Sequence, residues 1–304
     1  MSGLTIQTAA KINLCLRVLG RRADGYHEVE TVLHTVGVWD RVTIRDPGSS
    51  EITITIASGE APEGEGNLCW RAASLLAQRT GVKRGAAIAL DKGIPLRSGL
   101  GGGSSDAAAT LVGLSRLWGL DLPPDELDAI AAEAGADVPF FLRGGCCLAR
   151  GMGEKLTPCP ELTAWLVIVA PERGVSTGQA YAALRRGATL GRRRAPSRPI
   201  KRLTDALKGG DVASVAGALH NDFEAAKIAG IDEALKAKEE LLSAGCLGAA
   251  MSGSGSAVFG IARDRPHAEE VASLSRPRWP WLAVAPTVNA GDNLVVTEGE
   301  ERDA

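Results

Sequence analysis

Between residues 94 and 109 the chain reads Ile-Pro-Leu-Arg-Ser-Gly-Leu-Gly-Gly-Gly-Ser-Ser-Asp-Ala-Ala-Ala, four glycines in five positions followed by two serines and an alanine run. Few backbones accept such a stretch. Glycine permits positive φ and lets another group approach the backbone. Ser104 and Ser105 suit the cap of the helix that the alanines begin. A glycine turn entering a helix presents unpaired amides and the positive end of the helix dipole, which together form an anion site of the kind that takes phosphate. The plainer alternative is a flexible loop before an ordinary helix. The flanks favour the site: residues 86–90 read as a short buried strand, and Ala107, Leu111, Leu114 and Trp118 recur at helical spacing. The common phosphate motifs fit poorly. No lysine follows the glycines, as a P-loop requires. Ser104 stands where a dinucleotide fingerprint needs its third glycine, and Pro95 with three more residues separates loop from strand.

Composition excludes some classes. The 304 residues suit one large domain or two ordinary ones. A net charge of -2 offers no global basic field for nucleic acid. Cysteines 15, 69, 146, 147, 159 and 246 form no C-x-x-C pair and no cluster with the four histidines, so zinc is not expected. Cys146 and Cys147 in an apolar run read as buried free thiols, which favours a reducing compartment. No signal-peptide pattern or membrane-length apolar run is present, and a cytoplasmic location is expected.

Along the chain, residues 4–19, 29–38, 41–45 and 52–56 read as strands. Lys11 and Asn13, two apart on the first strand, share one face. That face is either a solvated surface or one that meets a phosphate or a substrate hydroxyl. The turn Gly20-Arg21-Arg22-Ala23-Asp24-Gly25 delivers Tyr26 and His27, a ring that can stack on a planar base beside a hydrogen-bonding imidazole. Asn67 caps a helix that stops near Gly81, and Pro123-Pro124-Asp125 starts another. The latter runs out at Gly135-Ala136-Asp137-Val138-Pro139-Phe140-Phe141. Pro139 should hold Val138 extended and fix Asp137 on a corner, either as a turn residue bonded to its own backbone or as a carboxylate able to take a hydroxyl proton. Residues 140–149 and 154–157 are expected to return to sheet.

A change to Thr, Pro and Cys near 157–163 suggests two domains, 1–158 and 159–304. The second half reads as strand 165–170, helices near 176–186, 200–208, 211–219 and 231–244, strands 247–251 and 256–262, a helix near 266–275 and strand 281–286. Taken as layers this is βαββαβ, a ferredoxin-like order. The arginine-rich stretch 187–199 reads as a solvated loop. Ser252-Gly253-Ser254-Gly255-Ser256 is a second glycine turn, either a hairpin connection or a second wall of the phosphate site, and its offsets do not make a nucleophile elbow.

Residues 95–108 resemble the phosphate loop of the GHMP kinase superfamily, and Gly248-Ala-Ala-Met-Ser-Gly-Ser-Gly255 resembles its C-terminal glycine motif. Within it, Ala10-Lys11-Ile12-Asn13-Leu14, the 20–28 segment and the 135–141 segment are similar to the branch that phosphorylates a cytidine diphosphate-linked methylerythritol. The resemblance spans nearly the whole chain. It implies an α+β, two-domain GHMP kinase fold, a ribosomal S5 domain 2-like half followed by a ferredoxin-like half. It implies ATP as donor, Mg²⁺, a small-molecule acceptor, and neither nucleic acid nor membrane as partner. A monomer or homodimer is expected. By position, Lys11 and Asp137 correspond to the catalytic pair. Pro95, Leu96, Arg97, Ser98, Gly99, Leu100, Gly101, Gly102, Gly103, Ser104 and Ser105 correspond to the ATP loop, with Ser105 as the metal contact. Asn13, Tyr26 and His27 correspond to substrate positions, Tyr26 stacking on the cytosine, and Tyr181 to a facing aromatic wall. Adenine contacts are expected between residues 60 and 70. The chain departs from the pattern at Ala9, where proline is frequent, and at Arg97-Ser98. Rival readings are another GHMP kinase, a nicotinamide-dependent dehydrogenase, and a non-catalytic sensor of the same fold.

Overall fold

The structure is a computed structural model and describes residues 3–172, 175, 177–184, 197–226 and 230–299. Of the arginine-rich stretch, residues 187–196 lie outside the described residues.

Two 19-residue strands, β1 (Gly3–Arg21) and β2 (His27–Arg45), pair antiparallel at the centre of the first sheet. The expected break between residues 38 and 41 is absent. Ala9 pairs with Trp39 and Ala10 with Val36, so β2 carries extra residues in a bulge and stays one strand. The half continues through β3 (Ile52–Ser58), α1 (Leu68–Thr80), β4 (Ala86–Asp91), α2 (Gly102–Trp118), α3 (Pro124–Ala134), α4 (Val138–Arg143), β5 (Cys146–Gly151) and β6 (Lys155–Pro158). Asn67 caps α1 as expected, its side chain accepting from the Cys69 amide.

The second half contains β7 (Trp165–Ala170), α5 (Thr177–Leu184), α6 (Arg198–Gly209), α7 (Val212–Ala216), β8 (His220–Asn221), α8 (Ile231–Ser243), β9 (Gly248–Met251), β10 (Val258–Ala262), α9 (Arg265–Ser275), β11 (Trp281–Pro286) and β12 (Leu294–Gly299). The second sheet is antiparallel in the order β11-β7-β10-β9, the expected ferredoxin-like arrangement. The first sheet runs β12-β1-β2-β4-β3, with β5 and β6 extending from β2 and β8 beside β1. β12 was not anticipated, and it pairs with β1 from Gly3–Gly299 to Thr8–Leu294.

Alternating burial gives a layered molecule. Helices α1, α2 and α3 cover one face of the first sheet through Ala72, Leu76, Ala108, Leu111 and Ile130 against Ile6, Ile44 and Ile88. Ile12, Leu14, Val32 and Val36 pack from the other face onto Leu166, Ile168, Phe259 and Ile261 of the second sheet. Helices α8 and α9 close the outside through Ala237, Leu241, Ala268 and Val271.

Residues 138–143 are helix rather than extended chain, and sheet resumes only at Cys146. Pro139 lies in the first turn, where no intrahelical N–H is required. The Val138 amide donates to Gly135 O at 3.1 Å. This turn buries Phe140 and Phe141 side by side with ring centroids 5.3 Å apart in edge contact, a burial that outweighs the local preference of a residue before proline.

Candidate active site

The phosphate loop is shaped from beneath by Asp40 of β2. Its Oδ1 accepts from the Gly93 amide at 2.7 Å and the Ile94 amide at 2.8 Å. Its Oδ2 meets Lys92 Nζ, which also bridges Asp106 Oδ2, and all three side chains are buried. Asp106 Oδ1 has no hydrogen-bond partner. Burial pushes the Asp106 carboxyl above the ordinary range and the Asp40 charge adds to this, against the opposing Lys92 ammonium.

Gly99 and Gly101 carry φ of 84° and 79°, and a Cβ at Gly99 would lie 2.2 Å from Ser252 O. Helix α2 begins at Gly102 with Gly101 as its cap, so Ser104 and Ser105 lie inside the first turn rather than at the cap. The Gly102, Gly103 and Ser104 amides are thus first-turn amides without intrahelical acceptors. They line a cleft of about 420 Å³ with Asn67, Leu68, Lys92, Pro95, Leu96, Arg97 and Asp106. Ser105 faces the other way. Its Oγ donates to Ala9 O at 2.6 Å, contacts Thr8 Oγ1 and is fully buried. The metal contact expected of Ser105 is therefore corrected: its hydroxyl is used by β1 and points away from the cleft.

The second glycine turn closes against the first. The Ala257 amide donates to Ser98 O at 2.8 Å, and Ser252 Oγ donates to Gly99 O at 2.9 Å. Asn221 holds this turn through Met251 O at 2.6 Å and Gly253 O at 2.8 Å.

Lys11 enters from β1, whose backbone amide there donates to Leu100 O at 2.9 Å. Its side chain is almost wholly buried, with Nζ donating to Asn13 Oδ1 at 2.6 Å and lying 3.9 Å from Asp137 Oδ2. Burial lowers the Lys11 pKa, and the nearby Asp137 charge opposes that shift. Asn13 Oδ1 also accepts from the Gly253 amide at 2.8 Å, and its Nδ2 donates to Thr31 Oγ1 at 2.8 Å. In this arrangement the Asn13 amide is engaged by protein groups on both sides. Asp137 stands just before α4 without bonding to the helix amides, its side chain 38% exposed.

Lys11, Asn13, Thr31, Asp137, Gly153, Tyr181, Phe223 and Ser254 line a second cavity of about 200 Å³. Gly99, Gly101 and Thr177 line both cavities, so the two meet at the glycine loop. A carboxylate open to the cavity, a buried lysine and a cradle of amides thus lie within one cleft, an arrangement able to align an anion with a hydroxyl.

His27 and Tyr181 stack with centroids 4.4 Å apart, and Phe223 meets Tyr181 edge-on at 4.9 Å. Tyr26 is 63% exposed and is not among the side chains lining the cavity. Sequence reasoning passed over Thr31, Thr177 and Phe223, and it gave no part to Asp40 and Lys92. Phe223 stands among only four phenylalanines, and Lys92 lies two positions before the 94–109 stretch. The partners that give these residues meaning are distant in sequence.

Residues 67–145 match the family model described as GHMP kinases N terminal domain, and residues 203–273 match GHMP kinases C terminal. The first match holds the phosphate loop with Asp137, the second the opposing glycine turn. The fold and cleft are those of a GHMP kinase. The homoserine kinase of Cytophaga hutchinsonii shares the fold, with a TM-score of 0.73 over 97% of each chain at 20% identity. A crystal structure of 4-(cytidine 5'-diphospho)-2C-methyl-D-erythritol kinase superposes with a TM-score of 0.76 at 34% identity, over 93% of this chain and 98% of that one. The 4-diphosphocytidyl-2-C-methyl-D-erythritol kinases of Pelotomaculum thermopropionicum and Gloeobacter violaceus are 43% and 41% identical. They align over 94% and 100% of this chain and 98% and 100% of their own lengths. The chain belongs to the 4-diphosphocytidyl-2-C-methyl-D-erythritol kinase family.

Proposed function

We propose that this chain transfers the γ-phosphoryl group of ATP to the 2-hydroxyl of 4-diphosphocytidyl-2-C-methyl-D-erythritol, giving the 2-phosphate and ADP, a step of non-mevalonate isoprenoid synthesis. The observation that carries the mechanism is the Lys11–Asp137 pair, 3.9 Å apart, in a cavity that shares Gly99 and Gly101 with the phosphate loop. Phosphoryl transfer asks mainly for alignment and charge neutralisation. The amides of Gly102, Gly103 and Ser104 and the α2 dipole hold the donor's phosphates. Asp137 accepts the hydroxyl proton. The Lys11 ammonium beside it offsets the negative charge gathering on the attacking oxygen. Residues 95–105 form the ATP loop, and Asn13, Tyr26, His27 and Tyr181 receive the cytidine-bearing acceptor, with Tyr181, which stacks on His27 and lines the second cavity, as an aromatic wall.

Among the described residues no group of three His, Cys, Asp or Glu side chains is placed to hold a metal ion. Ser105 is turned inward, and Lys92 already bridges Asp40 and Asp106. A closed protein cage for Mg²⁺ therefore does not fit these residues; Mg²⁺ arriving with ATP would rest on phosphate oxygens and water, with Asp106 Oδ1, unpartnered in the cleft lining, the carboxylate oxygen present there. All six cysteines are free, in keeping with a reducing cytoplasm, and no described helix is long and apolar enough to cross a membrane.

The test is an acceptor panel with ATP, comparing the cytidine diphosphate-linked methylerythritol with mevalonate and homoserine. The expected result is ADP release with the first alone. Turnover of mevalonate or homoserine in its place would move the chain's substrate to another GHMP kinase reaction.

A further inference from the structure

Outside the cleft, the hairpin of β5 and β6 brings two thiols together. The ladder pairs Leu148 with Thr157 and Cys147 with Pro158, so the next step sets Cys146 opposite Cys159. The Cys159 amide donates to Cys146 O at 2.8 Å. Directly opposed residues of a hydrogen-bonded antiparallel pair have Cα atoms about 5.5 Å apart and side chains on one face, inside the roughly 4.4–6.8 Å span of disulfides. The core contacts agree. Cys146 belongs to the core between the two sheets, and half-buried Cys159 packs against that same core. Cys147 points into the other core beneath the helices.

We propose that Cys159 and Cys146 form a thiol-modification site that takes small disulfides and converts them into an intramolecular Cys146–Cys159 disulfide. Cys159 is the entry point because it is the more accessible of the two: Cys146 is 3% exposed. The surroundings of Cys159 suit a nucleophilic sulfur. A hydrogen bond from the Cys146 thiol comes first in holding its pKa down, followed by the Leu148 backbone and the nearby Lys208 and Arg150 cations, against the opposing effect of burial. Cys146 is held up as the retained thiol. The Cys159 thiolate attacks one sulfur of a disulfide R–S–S–R, whose S–S bond breaks as the Cys159–S–R bond forms, and RS⁻ leaves and takes a proton from solvent. Cys146 then gives up its proton and attacks Cys159 Sγ, expelling the second RS⁻. Two protein thiols are oxidised and one external disulfide is reduced to two thiols.

The experiment treats the full chain with glutathione disulfide at neutral pH, then digests it without reductant and maps the cysteines by mass spectrometry. The expected product is one cross-linked peptide pair joining Cys146 to Cys159, reversed by dithiothreitol, with the other four thiols free. In Cys146→Ser glutathione should stay on Cys159 as a mixed disulfide. In Cys246→Ser the wild-type cross-link should persist. A Cys146–Cys147 link, glutathione retained on wild-type Cys159, or six unmodified thiols would each overturn the proposal. The wild-type map decides it even where a serine variant fails to fold.

Discussion

Asn13 Oδ1 lies 2.6 Å from Lys11 Nζ and 2.8 Å from the Gly253 amide. One amide oxygen therefore aims Lys11 and pins the second glycine turn from the other half of the chain. Removing it in Asn13→Ala takes an acceptor from a buried charged donor. That is worth about 1.5–3 kcal/mol, or roughly 10- to 10²-fold in kcat/KM. Asn13→Asp places a negative charge there instead and raises the Lys11 pKa. The alkaline limb of the kcat/KM profile should move to higher pH in that variant. Unchanged profiles and rates in both would remove Asn13 from any positioning role.

Asp137 is open to the acceptor cavity and bonded to no helix amide. Asp137→Asn should lose roughly 10²- to 10⁴-fold in kcat, the scale of general-base loss. The ATP dissociation constant should stay near that of the wild type. Near-normal turnover would assign the proton to another group.

Gly99 and Gly119 both have positive φ, yet only Gly99 faces a backbone oxygen where a Cβ would go. Gly119→Ala should cost about 1–2 kcal/mol, from left-handed strain alone, and leave ATP binding intact. Gly99→Ala should lower Tm further and weaken ATP, because Ser252 O must retreat and the two glycine turns part. Thermal melts with and without ATP compare the two.

His34 is fully buried, with Nδ1 2.9 Å from Thr35 O and Nε2 accepting from the Leu162 amide at 3.0 Å. The ring is neutral and ties the central hairpin to the start of the second half. Burial holds its pKa below the ordinary value, against the Thr35 hydrogen bond and the Glu161 charge. The unfolded chain takes up a proton near pH 6.5 that folded His34 refuses. Its contribution is full above that pH and shrinks as pH falls toward the lower folded value, by at most about 1.4 kcal/mol per pH unit. His34→Gln should be less stable at pH 8 and lose part of the wild-type drop in Tm between about pH 7.5 and 5.5, roughly one unit on either side of the free imidazole value.

Asp106 has the opposite sign. Its folded pKa is raised, so the folded state holds a proton that the unfolded chain releases above about pH 4. Stability is lost as pH climbs from there through the raised value. Asp106→Asn keeps the shape without the charge and should flatten that loss, with the gap over wild type widening as pH rises. Parallel Tm-versus-pH curves would refute it.

The glycine loop, Asn67 and the alternating Ile52–Ile54–Ile56 strand were readable because their signals are local. Lys11 and Asp137 could be named from resemblance to a family, but not placed, since 126 positions of chain separate them and nothing local states their 3.9 Å approach. Ser105 misled for a related reason. Its motif points to a phosphate site, while the direction of its hydroxyl is set by Thr8 and Ala9 on a distant strand. The 138–143 helix was missed because a proline rule acts locally, whereas Phe140 and Phe141 are placed by the core they fill.

The strand that carries Lys11 takes its outer neighbours from late in the chain, β8 at residues 220–221 and β12 at 294–299. The edges of the lysine-bearing strand are therefore closed only by long-range pairing, with Cys15 opposite His220 and Thr8 opposite Leu294. Removing residues 294–299 would leave the β1 edge from Gly3 to Thr8 unpaired, an open row of backbone donors and acceptors of the kind that invites pairing with another chain.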